Sequence, residues 1–154
     1  MSDHRASVEW RLGAGEDFLR RRYSRAHTLR FAGGASVAGS PSPSIVPAPW
    51  SRPDAVDPEA AFTAALSACH MLWFLDLAAR AGFVVSSYVD EAAGTLGKNA
   101  AGKTAMSRVA LRPAVVFTGK RPTVEELAAL HRRAHEDCFI ANSVTTEVVV
   151  ESRA

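Results

Sequence analysis

Cys69 and Cys138 are the only two thiols in a chain of 154 residues, and each sits beside or within a helical stretch. Cys69 lies inside a long apolar run, Ala60 to Ala81, and Cys138 follows directly on a second helical segment. That placement makes thiol redox chemistry the leading hypothesis. A thiol in mid-helix gains little from the helix dipole, and burial alone raises its pKa. A reactive Cys69 therefore needs a cationic neighbour. An arginine suits the role, because it stays charged in an apolar site and holds a thiolate and a carboxylate at once. The basic stretch from Arg20 through Arg25 offers candidates, and Glu59 is the carboxylate that would orient one of them. Glu59 precedes Cys69 by 10 residues, which is about 15 Å of helix. The two side chains cannot meet directly in one chain, so either the arginine bridges them or Glu59 comes from a partner subunit. Cys138 is flanked by Glu136 and Asp137 at a helix C-terminus, a setting that disfavours a thiolate and suits a resolving role. Taken singly, Cys69 is a small core residue, Glu59 a first-turn carboxylate, Arg20 to Arg22 a solvated loop, and His135 a solvent-facing or carbonyl-capping side chain.

The elements that must position these residues follow from pattern. Ser7 to Leu12 alternates, which predicts a half-buried strand with Val8, Trp10 and Leu12 on one face. His27 to Phe31 resumes the alternation before Gly33-Gly34 turns the chain, so the two form a hairpin with an arginine-rich connection. The proline- and serine-rich stretch Ser40 to Asp57 is an extended surface loop. Asp57-Pro58-Glu59 is a helix start, with Asp57 as N-cap and Pro58 at the first helical position. That helix should run to about Arg80 and stop at Gly82. It is apolar on nearly every side, so it should be buried all round, and a second subunit is expected to pack against it. Phe83 to Leu96 and Met106 to Thr118 are two strands of one hairpin. Thr123 and Glu126 make a capping box opening a helix from Val124 to about Asp137, and Val144 to Glu151 is the closing strand. The order of strands, helix, strands, helix, strand gives the class α+β, with residues 1–154 as a single domain.

Net charge is only +2, too small to imply a polyanionic partner. No apolar run approaches the ~18 residues of a membrane span, and the polar opening stretch Met1 to Glu9 has no segment of signal-peptide length. The cytoplasm is the expected compartment, where a cysteine pair is more often catalytic, redox-sensing or metal-binding than structural.

Asp57-Pro58-Glu59, Leu66-Ser67-Ala68-Cys69-His70 and Ala134-His135-Glu136-Asp137-Cys138 together resemble the osmotically induced protein C and organic hydroperoxide resistance family (OsmC/Ohr). Tyr23-Ser24-Arg25-Ala26-His27 and Leu111-Arg112-Pro113 are similar to its OsmC-like branch. The resemblance spans roughly Val8 to Val150. It implies an OsmC-like fold of antiparallel sheets around two long helices, an intertwined homodimer with sites at the interface, and thiol-dependent reduction of organic hydroperoxides without a cofactor or metal. By matching motif, Cys69 is similar to the peroxidatic cysteine, Cys138 to the resolving one, and Glu59 to the carboxylate that positions the catalytic arginine. Arg25 is that arginine, with Arg22 as the alternative alignment. Implied partners are an organic hydroperoxide and an external dithiol, lipoyl-bearing or thioredoxin-like, with no nucleic acid and no membrane. Phe62, Trp73 and neighbouring aliphatic side chains are expected to form an apolar substrate pocket. Two departures from the family pattern, His70 after the first cysteine and Phe139-Ile140 after the second, leave substrate and reductant open.

Rival chemistries are weaker. Gly97 to Thr104 fits the phosphate-loop pattern, but the alternating, proline-containing segment after it is a strand where that chemistry needs a helix. Zinc held by Cys69, His70, His135 and Cys138 meets the difficulty that adjacent helical residues diverge by about 100°. A non-enzymatic relative that binds a small apolar molecule or regulates is the remaining alternative.

Overall fold

The computed structural model describes residues 1–152, which fall into two compact units, the first Met1–Ala61 and the second beginning at Phe62.

In the first unit, β1 (Ala6–Glu9), β2 (His27–Phe31) and β3 (Ser36–Gly39) form an antiparallel sheet in the order β1-β2-β3. The expected hairpin is present, with Val8 opposite Leu29. The first strand is shorter than its alternation suggested. It ends at Glu9, and Val8, Trp10 and Leu12 are exposed rather than half-buried. Beyond the strand, Trp10 turns into an aromatic cluster with Phe18 and Tyr23, whose rings stack at 4.7 Å, and its indole Nε1 donates to Ser24 O at 2.8 Å. The sequence pattern missed β3. Its Ser-Val-Ala-Gly carries too little apolar contrast to announce a strand, and the turn at Gly34 (φ +88°) delivers it to β2. The segment from Ser40 to Asp57 holds no strand or helix, as expected. Buried Ser40 pins it, donating its N–H to Val56 O and accepting Arg52 N–H on Oγ at 2.8 Å.

α1 runs from Pro58 to Arg80, where the sequence placed it. Asp57 Oδ1 accepts the Ala60 N–H at 2.8 Å, satisfying one of the orphan donors of the first turn, and Gly82 at φ +78° ends the helix. By length and composition alone this helix would cross a bilayer, which corrects the statement that no run approaches that length. Its buried residues are Thr63, Leu66, His70, Phe74 and Ala78, one stripe spaced by three or four. The other faces are not enclosed by the described residues, and Leu72 remains 64% exposed.

The expected long hairpin is present with a break. Each predicted strand is two: β4 (Val84–Asp90) and β5 (Ala93–Lys98) on one side, β6 (Thr104–Leu111) and β7 (Pro113–Thr118) on the other. β5 pairs β6 and β4 pairs β7, all antiparallel. The interruption falls where Pro113 has no N–H to give the ladder and where the Asp90 carboxylate takes the Arg112 N–H at 2.6 Å instead. α2 (Val124–Asp137) opens on the anticipated reciprocal capping box of Thr123 and Glu126. A short 3-10 turn, Ala141–Ser143, leads to β8 (Glu147–Val150), shorter than expected. The sheets are antiparallel as expected, except that β8 pairs β6 in parallel. Two apolar clusters fill the unit: Phe74, Ala78, Phe83 and Ala134, and Leu66, Val109 and Leu111.

Candidate functional site

Cys69 stands on α1 just outside the buried stripe and is half-buried. Cys138 is the C-cap of α2 and only 1% exposed, its Sγ accepting the Ala141 N–H at 3.4 Å. Burial pushes the Cys138 thiol up to about 11, against the pull of the Ala141 N–H, and the neighbouring Cys69 side chain adds to the rise. The two cysteines, 69 positions apart in sequence, are therefore neighbours in one unit, both as free thiols. The buried one is held protonated.

Cys69 opens onto a groove of about 400 Å³ lined by Leu72, Trp73, Asp76, Arg80 and Phe139. Positions 69, 72, 73, 76 and 80 recur at helical spacing, so the groove follows one face of α1 for about 16 Å. Its middle is apolar, with Trp73 and Phe139 edge to face at 5.4 Å. Its far end is ionic, where Arg80 Nε meets Asp76 Oδ2 at 2.9 Å. Trp73 lines the groove beside Cys69. Phe62 is not in this groove and packs instead against the Leu66, Val109 and Leu111 cluster.

Arg25 and Glu59 belong to the first unit. The Arg25 guanidinium is half-buried, 4.1 Å over the Tyr23 ring, and donates to Tyr23 O at 3.0 Å. Its contacts are backbone carbonyls and an aromatic face, and among the described residues no carboxylate pairs with it. It lines an open groove of about 350 Å³ with Val8, Trp10, Phe18, Tyr23 and His27. Arg22, the alternative, is exposed and bridges backbone to backbone with Asp17. Glu59 sits in the first turn of α1, about 15 Å along the helix from Cys69.

The sequence reading passed over His131. Its Nδ1 lies 3.1 Å from Nε2 of His70, both rings are buried, and Phe74 stacks on His131 at 4.4 Å. Burial first holds each imidazole down to about 4, so the pair is neutral and shares one N–H. The available signal was spacing: positions 127, 131 and 134 continue the inward face of α2, and a histidine there must find a polar partner inside. His135 is half-buried with Nδ1 enclosed and unpartnered, rather than solvent-facing or capping. Among the described residues no group of three or more His, Cys, Asp and Glu side chains is placed to hold a metal ion.

Gly97 to Thr104 spans the end of β5, the hairpin turn and the first residue of β6. Asn99 Oδ1 accepts from Ala101 and Lys103 N–H, Lys98 Nζ donates to Thr104 Oγ1, and a strand follows. A phosphate loop requires a helix there.

No curated protein matches the chain. Among solved structures, an OsmC-like protein of unknown function from Vibrio cholerae is 53% identical, with a TM-score of 0.97, over 99% of this chain and 100% of that one. An organic hydroperoxide resistance protein from Elizabethkingia anophelis shares the fold at 18% identity and a TM-score of 0.70, covering 99% of this chain and 94% of its own. The organic hydroperoxide resistance protein OhrB of Bacillus subtilis does so at 17% identity and a TM-score of 0.70, over 99% and 98%. The family model for OsmC-like protein matches residues 51–153, a span that takes in α1, both cysteines and every strand of the second unit, and the chain belongs to the OsmC/Ohr family.

Proposed function

We propose that the protein is a cysteine-based peroxidase that reduces organic hydroperoxides, with Cys69 as the attacking thiol and Cys138 as the resolving one. The observation that carries this reading is the pairing of a half-buried thiol at the mouth of an apolar groove with a buried, protonated thiol beside it. The reacting sulfur must reach the peroxide, whereas the resolving sulfur must wait. In the reaction, the Cys69 thiolate attacks the outer peroxide oxygen, and the O–O bond breaks. The alkoxide leaves as alcohol by taking a proton, and Cys69 is left as sulfenic acid. Cys138 then attacks that sulfur, forming the disulfide and releasing water. An external dithiol returns both cysteines to thiols and is itself oxidised to a disulfide. The apolar wall of Leu72, Trp73 and Phe139 favours an organic substituent on the peroxide over a bare hydrogen.

Arg25 is the guanidinium we assign to Cys69, and Glu59 the carboxylate that orients it, in a homodimer in the cytoplasm. The support is a half-buried guanidinium whose partners among the described residues are carbonyls and an aromatic ring and an apolar helix face that the described residues do not enclose. The test is turnover of cumene hydroperoxide with dihydrolipoamide as reductant, for the native protein and for Arg25→Gln, with the oligomeric state read by sedimentation. Saturable turnover that falls about 100-fold or more in Arg25→Gln agrees with the assignment, whereas no turnover by the native dimer and tight binding of an apolar ligand would favour a binding protein.

A further inference from the structure

Two cavities lie against α2, and neither has Cys69 or Cys138 in its lining. One, of about 140 Å³, has Val115 and Phe117 of β7 in its wall and Arg121 at its rim. The other, of about 310 Å³, has Val148 and Val150 of β8 in its wall and Arg132 and His135 at its rim. Both include His131 and Ser152. The larger cavity alone reaches the lower end of the usual small-molecule range of ~300–1,000 Å³.

His131 gives this place a built character. It is 4% exposed, its Nδ1 is bonded to His70, and its Nε2 is enclosed with no partner. The two nitrogens of an imidazole point to nearly opposite sides of the ring, so with Nδ1 turned to His70 the unpartnered Nε2 is on the far side of a ring that lines both cavities. When His70 Nε2–H donates to His131 Nδ1, His131 presents Nε2–H as a donor there. His135 Nδ1 is a second enclosed nitrogen without a partner at the same rim. Arg121 and Arg132 make no ion pair among the described residues, and no Asp or Glu lines either cavity. Buried donors and two uncommitted guanidinium groups around aliphatic and aromatic walls ask for a ligand with one anionic end and an apolar body. A phosphate would set its remaining oxygens against valines, whereas a carboxylate matches the planar fork of arginine and leaves the walls to a hydrocarbon.

We propose that the cavities shared by His131 and Ser152 bind a small organic carboxylate, its anionic end held by Arg121, Arg132 and the His131 Nε2–H and its apolar body laid against Val115, Phe117, Val148 and Val150. The site is separate from the thiols and does not depend on their chemistry.

The experiment is calorimetric titration of the full-length native protein with octanoate, with octanol and inorganic phosphate as comparison probes. One saturable octanoate site per chain is expected, with no saturable heat from octanol or phosphate. Arg121→Gln and Arg132→Gln, both at exposed positions, should each weaken octanoate binding about 10-fold, and the His131 imidazole nitrogen resonances should move on titration. Arg80→Gln, in the groove beside Cys69, should bind octanoate as the native protein does. Octanol binding as well as octanoate, native-like binding by both Arg121→Gln and Arg132→Gln, or loss of binding in Arg80→Gln would each overturn the assignment.

Discussion

The buried position of Cys138 makes the second chemical step steeply dependent on pH, in a way that a surface thiol would not. Its pKa is pushed up to about 11, chiefly by burial. If attack on the Cys69 sulfenic acid needs the Cys138 thiolate, only about one molecule in ten thousand carries it at pH 7. From pH 8 to pH 10 the thiolate fraction rises about 90-fold for a pKa near 11, against about 10-fold for a pKa near 9. Double-mixing stopped flow isolates the step: one equivalent of cumene hydroperoxide oxidises Cys69, then a pH jump is followed by the fluorescence of Trp73, which shares the groove with Cys69. The rate of disulfide formation should climb log-linearly with no plateau below about pH 10, and the phase should vanish in Cys138→Ser. A plateau by pH 9 would refute the reasoning, because it would mean that burial does not govern this thiol.

The His70 and His131 pair supplies a second pH signature. Both imidazoles are held near 4, below the ordinary 6.5, so the unfolded chain binds more protons than the folded one between those values. The contribution to stability is full above pH 6.5 and is lost as pH falls toward 4. Their imidazole resonances should titrate near 4, and the melting temperature should drop through that window; titration of both rings near 6.5 would contradict the buried pair. In the core, Phe74 is fully enclosed, and Phe74→Ala should cost about 3–5 kcal/mol in urea unfolding. Thr123→Ala removes one half of the capping box of α2 and should cost about 1 kcal/mol by the same assay.

Much of the scaffold was legible because local chemistry decides it. Asp57, Pro58 and Gly82 set the ends of α1, and Thr123 and Glu126 set the start of α2, through backbone groups that must be satisfied whatever the tertiary context. What the chain pairs with over a distance was harder to read. The parallel seat of β8 beside β6 depends on where α2 and the turn at Ala141–Ser143 leave the chain, and no residue of β8 encodes a direction. The break between β6 and β7 falls at Pro113, inside the single strand expected over Met106 to Thr118, and its counterpart between β4 and β5 rests on the Asp90 carboxylate reaching across to Arg112. The closeness of Cys69 and Cys138 came from family resemblance, since nothing in their spacing brings positions 69 and 138 together. The groove is a different case: of its members only Trp73 was expected beside Cys69, because a helix apolar on nearly every side does not mark one face, and Phe139 joins it only through the fold. His131 was missed because a histidine on an inward face looks like any other core position until its partner His70 is placed beside it.

The most direct measurement is the chemical state of Cys69 after one turnover. Reduced Cys138→Ser is mixed with one equivalent of cumene hydroperoxide in the presence of dimedone, and intact and peptide masses are read. The account predicts one dimedone adduct per chain, on the peptide containing Cys69, with matching loss of peroxide. An unmodified Cys69 with the peroxide still present, or consumption at an undiminished rate by Cys69→Ser, would contradict it.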